Sequence, residues 1–165
     1  MKLRLVLVGL VASLTAMVGL TAVAVAGTGG SDSATACVLN TKLLPQNEVR
    51  TTPNTSVASG HAQVKVRNDG TIEFKSFVLN PGGEVFNRAH IHGPAGSNAN
   101  AGIVVDFIEG GIPVASVTGE TITFMTEGRV RGTFDPMLLC AAPTQYYVNF
   151  HSTAEPSGAI RGQLG

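Results

Sequence analysis

GHAQVKVRNDGTIEF, residues 60–74, alternates apolar and polar side chains with a period of two. In an extended chain Ala62, Val64 and Val66 project to one face, and His61, Gln63, Lys65 and Arg67 to the other. Asn68-Asp69-Gly70 supplies turn chemistry, because Asn and Asp bond nearby backbone and Gly takes positive φ without steric cost. Ile72 and Phe74 then resume the alternation. The stretch predicts a β-hairpin with one dry face and one wet face.

The same punctuation continues outward. Phe77-Val78-Leu79 ends at the turn cluster Asn80-Pro81-Gly82-Gly83. EVFNRAHIH (84–92) leads into the Gly/Asn-rich loop GPAGSNANAG (93–102), then IVVDFIEGG (103–111). ASVTG (115–119) and TITFMTEGRVRGTF (121–134) read as a further strand pair. QYYVNFHS (145–152) and AIRGQL (159–164) are joined by a turn through Glu155-Pro156-Ser157-Gly158. Short strands separated by Gly/Pro signals predict an all-β, single-domain antiparallel β-sandwich. At most one short helix is expected, near 135–142, where DPMLLCAA breaks the pattern. No longer stretch keeps helical spacing, and no repeat of fixed period is present.

The N-terminus carries an address. Lys2 and Arg4 precede an apolar run from Leu5 to Val25, and Ala24-Val25-Ala26 is a small-x-small cleavage signature. That layout predicts a secretory signal peptide over 1–26, a flexible mature N-terminus over 27–36 and a folded domain over 37–165. An uncleaved anchor is the alternative, since the run is just long enough to span a bilayer. Lipidation at Cys37 fits less well, because Ala34-Thr35-Ala36 offers no leucine before it. Without Lys2 and Arg4 the chain has nine basic residues against eleven acidic ones, so it offers no basic surface for nucleic acid. Once the signal is removed, no membrane span is expected. Outside the cytoplasm, Cys37 and Cys140 are expected as a disulfide closing nearly the whole domain, with two buried free thiols as the alternative.

Few residues offer chemistry. The chain lacks a G-x-S-x-G elbow, a P-loop and a dinucleotide fingerprint, and its acidic residues are scattered. Of four histidines, two sit at His90 and His92, immediately before Gly93-Pro94. At i and i+2 of a strand they share a face, together with Phe86 and Arg88 if the strand is regular. On 145–152, Tyr147, Asn149 and His151 take one face while Val148 and Phe150 take the buried one. Should these strands be neighbours, three imidazoles converge into a set suited to copper or zinc. The competing reading is that each histidine bonds backbone carbonyls and ties a loop to the sheet. Asn149, Glu155 and backbone carbonyls are candidate partners for the rings. His61, after Gly60 on a separate strand, reads as a surface residue. Asn54-Thr55-Ser56 formally fits an N-glycosylation acceptor.

Three blocks in order, LLPQNEV (43–49), AHIHGPAG (89–96) and YYVNFHSTAEPSGAIRGQL (146–164), resemble the CHRD domain named from chordin. The resemblance covers Leu43 to Leu164 and implies an extracellular β-sandwich without a settled biochemical activity. Gly93, Pro94, Asn149, Arg161 and Gly162 belong to its motifs. Arg161 is expected to anchor a strand end or pair with a carboxylate. The family usually places an acidic residue where this chain has Ala159. A looser likeness links His90, His92 and His151 to the copper site of copper/zinc superoxide dismutases, whose fold is a Greek-key sandwich. An immunoglobulin-like sandwich is the other form expected. No histidine lies between 92 and 151, so the bridging and zinc ligands of those enzymes have no counterpart. The first expectation is therefore a non-enzymatic extracellular binding or structural module, whose partner is an unknown extracellular protein or surface ligand. The alternative is a copper- or zinc-binding sandwich, redox-active or dismutase-like, built on the three histidines.

Overall fold

The computed structural model describes residues 34–108, 116–118 and 120–165. The expected signal peptide, 1–26, lies outside the described residues. Ten strands form two five-stranded sheets. The first sheet runs in the order β1 (Thr35–Leu43), β2 (Ser59–Arg67), β3 (Ile72–Leu79), β7 (Thr121–Glu127), β6 (Ser116–Thr118). The second has the order β10 (Ile160–Gln163), β9 (Tyr147–Ser152), β4 (Phe86–His92), β5 (Ile103–Ile108), β8 (Arg129–Val130). Every pairing is antiparallel. The chain crosses between sheets after β3, β5 and β7, so β7 returns beside β3 and β9 beside β4. The β-sandwich expected from the alternation is the fold observed, and α1 (Met137–Ala141) is the short helix expected within 135–142.

The opening hairpin behaves as its period dictates. Val66 pairs with Ile72 and Val64 with Phe74, all four buried, while His61, Gln63 and Lys75 point to the outer face. Gly70 closes the turn with φ of 85°, a conformation that a Cβ disfavours. Phe74 lies at the centre of the interface between sheets. It stacks on Phe107 of β5 at 3.9 Å and approaches Phe150 of β9 at 6.0 Å. Ile91, Val105, Val148 and Ile160 complete the apolar layer from the second sheet.

Two ties join the sheets at one edge. Leu44 and Arg161 exchange backbone hydrogen bonds of 3.0 and 3.1 Å, and Thr41 Oγ1 donates to Gln163 O at 2.6 Å. Gly162 permits this approach, since a Cβ there would collide with Thr41 and would meet Lys42 O at 2.6 Å. Elsewhere Cys37 on β1 is bonded to Cys140 on α1, with Cα atoms 5.8 Å apart across 103 residues of sequence. Such a bridge limits the unfolded chain more than the folded one. Replacing both cysteines by serine is expected to lower unfolding free energy by about 2–5 kcal/mol. Urea titration of the oxidised wild type against the double variant measures the loss.

A candidate metal centre on the outer face of the second sheet

The site is built by the pairing of β4 with β9. In this register Ala89 faces Phe150 and Ile91 faces Val148, so these four enter the core. The alternate pairs, Arg88 with His151, His90 with Asn149 and His92 with Tyr147, therefore share the outer face. That face was expected to be opposite the core. Apart from Arg88 it is buried all the same, because residues 44–58, 93–102 and 153–159 fold over it. Ties across this cover include Asn47 Nδ2 to Arg161 O, Asn100 Nδ2 to Val49 O, and Arg50 to Glu155 at 2.6 Å. One expectation fails. Phe86 does not share the face of His90, because the register shifts between Phe86 and Arg88 and turns Phe86 into the core against Phe150.

The structure brings His90, His92 and His151 together. One ring nitrogen from each lies within 4.8 Å of the other two, and all three residues are buried. His90 Nδ1 stands 3.3 Å from His151 Nε2. Two of the remaining nitrogens have carbonyl acceptors. His92 Nδ1 lies 3.0 Å from Ala101 O, and His151 Nδ1 lies 3.0 Å from Pro156 O. His90 Nε2 faces Asp106 Oδ1 at 3.5 Å.

These neighbours constrain the tautomers. A carbonyl oxygen only accepts, so Nδ1 of His92 and of His151 carries the proton and Nε2 carries the lone pair. His90 has two neutral forms here. With its proton on Nδ1 it donates to the His151 Nε2 lone pair at 3.3 Å. With its proton on Nε2, toward Asp106, Nδ1 and His151 Nε2 both turn lone pairs to a point that a cation can occupy. Two imidazole nitrogens bound tetrahedrally at ordinary zinc distances stand about 3.3–3.4 Å apart, so the spacing fits. His92 Nε2 is buried with no hydrogen-bond partner among the described residues.

Burial also keeps the rings neutral, as metal ligation requires. It pushes His90 down to about 3, helped by the charges of His151 and His92, against which the attraction of Asp106 is too weak. Burial pushes His92 down to about 4, and it lowers His151 in the same sense.

Three supports were not singled out in the sequence. Asp106, 4% exposed, is held by Arg131 Nε at 2.6 Å and Arg129 Nη2 at 3.4 Å. Its signal is a single acid inside the apolar strand IVVDFI, an expensive placement without partners. Tyr147 stacks parallel to His92, with centroids 5.0 Å apart and an interplanar angle of 4°. Ala101 N–H donates to Tyr147 Oη at 3.1 Å, so one residue positions both rings. Glu48 Oε2 accepts from Asn149 Nδ2 at 3.2 Å, and burial raises that carboxyl to about 7.

The other motif residues build the surroundings of the cluster. Arg161, 1% exposed, places its Cζ 3.4 Å over the Tyr147 ring and donates to Gly96 O, Ala99 O and Asn100 Oδ1. It anchors a loop rather than pairing with a carboxylate by direct contact. Ala159 is buried, and the carboxylate whose charge acts on Arg161 is Glu48. Gly93 leaves no room for a Cβ beside the Tyr146 ring, and Gly93-Pro94 is a cis peptide bond. Glu155, a candidate ring partner, instead accepts from Arg50 and Thr55. Asn54 donates its amide to Pro45 O and Ala159 O, so the side chain that a glycan would need is committed inside the fold. His61 is exposed on the first sheet and takes no part.

The fold and site define an antiparallel β-sandwich domain closed by a long-range disulfide, with a histidine triad beneath loops on one sheet. A family model described as CHRD domain matches residues 39–164. The chain belongs to the CHRD domain family. No curated protein and no solved structure matches it.

The triad dictates a pH dependence for the metal-free protein. Each imidazole has a folded value below its ordinary 6.5, so its contribution is full above 6.5 and is lost as pH falls below it, for His90 and His92 toward about 3 and about 4. Glu48 acts oppositely, since a raised carboxyl stabilises below 4.5 and loses that contribution as pH rises through 7. Comparing urea midpoints at pH 7.5 and 4.5 separates the two. His90→Gln should shrink the acid loss of stability, and Glu48→Gln should enlarge it.

Proposed function

We propose that this CHRD domain is an exported binding module that holds one copper or zinc ion through His90 Nδ1, His92 Nε2 and His151 Nε2. The observation that supports it is the 3.3 Å approach of His90 Nδ1 to His151 Nε2 while the other nitrogen of each ring faces an acceptor. A loop-anchoring role accounts for one nitrogen per ring. It leaves unexplained why the other three converge away from water.

Neutral imidazoles suit both metals. Ala101 O, Pro156 O and Asp106 would orient the ligands and raise their basicity, the part that outer hydrogen bonds take in metal sites. Tyr147 would hold the plane of His92 by stacking. Copper bound here would supply one-electron chemistry, whereas zinc would supply a Lewis acid without redox. A non-enzymatic role, in sequestration or presentation of the ion to an extracellular partner, requires nothing beyond the triad. Export follows from the Lys2/Arg4 n-region, the apolar run and Ala24-Val25-Ala26, and the disulfide suits an oxidising compartment.

A purely structural reading has its own support, because His92 and His151 fasten the loops at Ala101 and Pro156. Metal analysis decides between them. Apo protein equilibrated with zinc or copper should bind one ion per chain. His90→Ala, His92→Ala and His151→Ala should each weaken binding tenfold or more, and Asp106→Asn about 10–100-fold. Metal content equal to that of the triple-alanine variant would end the metal reading. Mass spectrometry of the native protein should find a chain beginning at Gly27.

A further inference from the structure

A cation bound by three neutral imidazoles would have no negative charge among its ligands, and the surroundings supply none to spare. Asp106, the nearest carboxylate on the face, already receives Arg131 at 2.6 Å and Arg129 at 3.4 Å. Glu155 is taken by Arg50 at 2.6 Å and by Thr55. Glu84 is taken by Ser152 at 2.7 Å and by Ser56. Glu48 is held by Asn149 and lies toward Arg161 and Arg50.

Positive charge, by contrast, is uncompensated. Arg88 lies directly opposite His151 in the β4–β9 register, two residues before His90 on the same face. It is exposed, and among the described residues it makes no hydrogen bond or ion pair. The shift of register just before it turns Phe86 into the core and leaves Arg88 beside the triad. Its charge reaches His151. The cluster is also asymmetric toward solvent, since His92 and His151 each keep 8% of their surface exposed and His90 only 1%. An approach from outside therefore meets His151, the ligand that both keeps some exposure and lies opposite Arg88.

We propose that the three-histidine centre binds a small monovalent anion together with its metal, the anion completing the ion's coordination and pairing with the Arg88 guanidinium. This rests on the metal reading above. Only a small anion suits an approach so narrow. Because the two ligands neutralise one another, each strengthens binding of the other by the same factor. Arg88 is then a recognition residue for the anion and a repulsive neighbour for the bare cation.

Zinc, which has a single oxidation state here, and azide serve as probes. Full-chain apo protein is titrated with zinc in chloride-free, non-coordinating buffer, with and without sodium azide, correcting for azide bound to zinc in solution. Azide should raise the zinc affinity of the wild type about fivefold or more. In Arg88→Gln the gain should fall below about twofold, with one zinc per chain and an unchanged circular dichroism spectrum, and Arg88→Lys should restore part of it. Arg88→Gln should also bind zinc more tightly than wild type when azide is absent. Zinc binding indifferent to azide, or an equal gain in Arg88→Gln, would overturn this proposal and leave the metal reading standing. No zinc bound under either condition would overturn both.

Discussion

The pairing of β4 with β9 is the constraint on which the rest of the molecule depends. A strand has a period of two, so the register that sends Ala89, Ile91, Val148 and Phe150 into the core must send His90, His92, Asn149 and His151 the other way. A slip of one residue would exchange the two sets, burying imidazoles in the apolar layer and exposing Phe150. The hydrophobic core thereby sets the geometry of the polar cluster without touching it. The histidines gain precision from a sheet rather than from a loop, which is where a ligand set is best held.

The outer face then imposes its own cost. A sandwich normally leaves that face wet, as the first sheet does with His61, Gln63 and Lys75. Covering the second sheet removes Arg161, Asn149, His90 and Asp106 from water; Arg161 and Asn149 find partners in the cover, and Asp106 in Arg129 and Arg131. Arg161 meets this by donating to the 96–100 loop while its guanidinium lies on Tyr147. Tyr147 in turn lies on His92. A cation, an aromatic ring and an imidazole thus form a continuous stack across β10, β9 and β4. Loss of any member loosens the 93–102 loop, and with it the carbonyl of Ala101 that sets the His92 tautomer.

Much of the fold was legible in residues 60–74 and in the turn clusters that follow them. Alternation over Ala62, Val64 and Val66, with Asn68-Asp69-Gly70 between strands, is a local signal, and local signals survive folding. The convergence of His151 with His90 and His92 was legible only as a condition, that two strands 60 residues apart be neighbours. Non-local pairing has no signature in a single sequence. Phe86 shows the other limit, because a one-residue register shift reverses a face assignment and leaves no compositional mark. Asp106 and Glu48 went unnoticed for a related reason. Their importance comes from burial by segments far along the chain, the Arg129–Arg131 region and β9, rather than from their own neighbours.

The inward nitrogens of the three histidines also carry a physical cost, which falls on His92. Had the rings served only to fasten loops, its inward nitrogen would be a liability. His92 Nε2 is buried without a partner, and an unsatisfied buried polar atom costs on the order of 1–3 kcal/mol. His90 and His151 escape that cost, since a proton on His90 Nδ1 donates to His151 Nε2 at 3.3 Å. A side chain with a single polar end at each position would fasten the same carbonyls without such conflict. Frustration of this kind is tolerable where a ligand resolves it. On the proposed reading, a cation that accepts a lone pair from each of the three rings would do so.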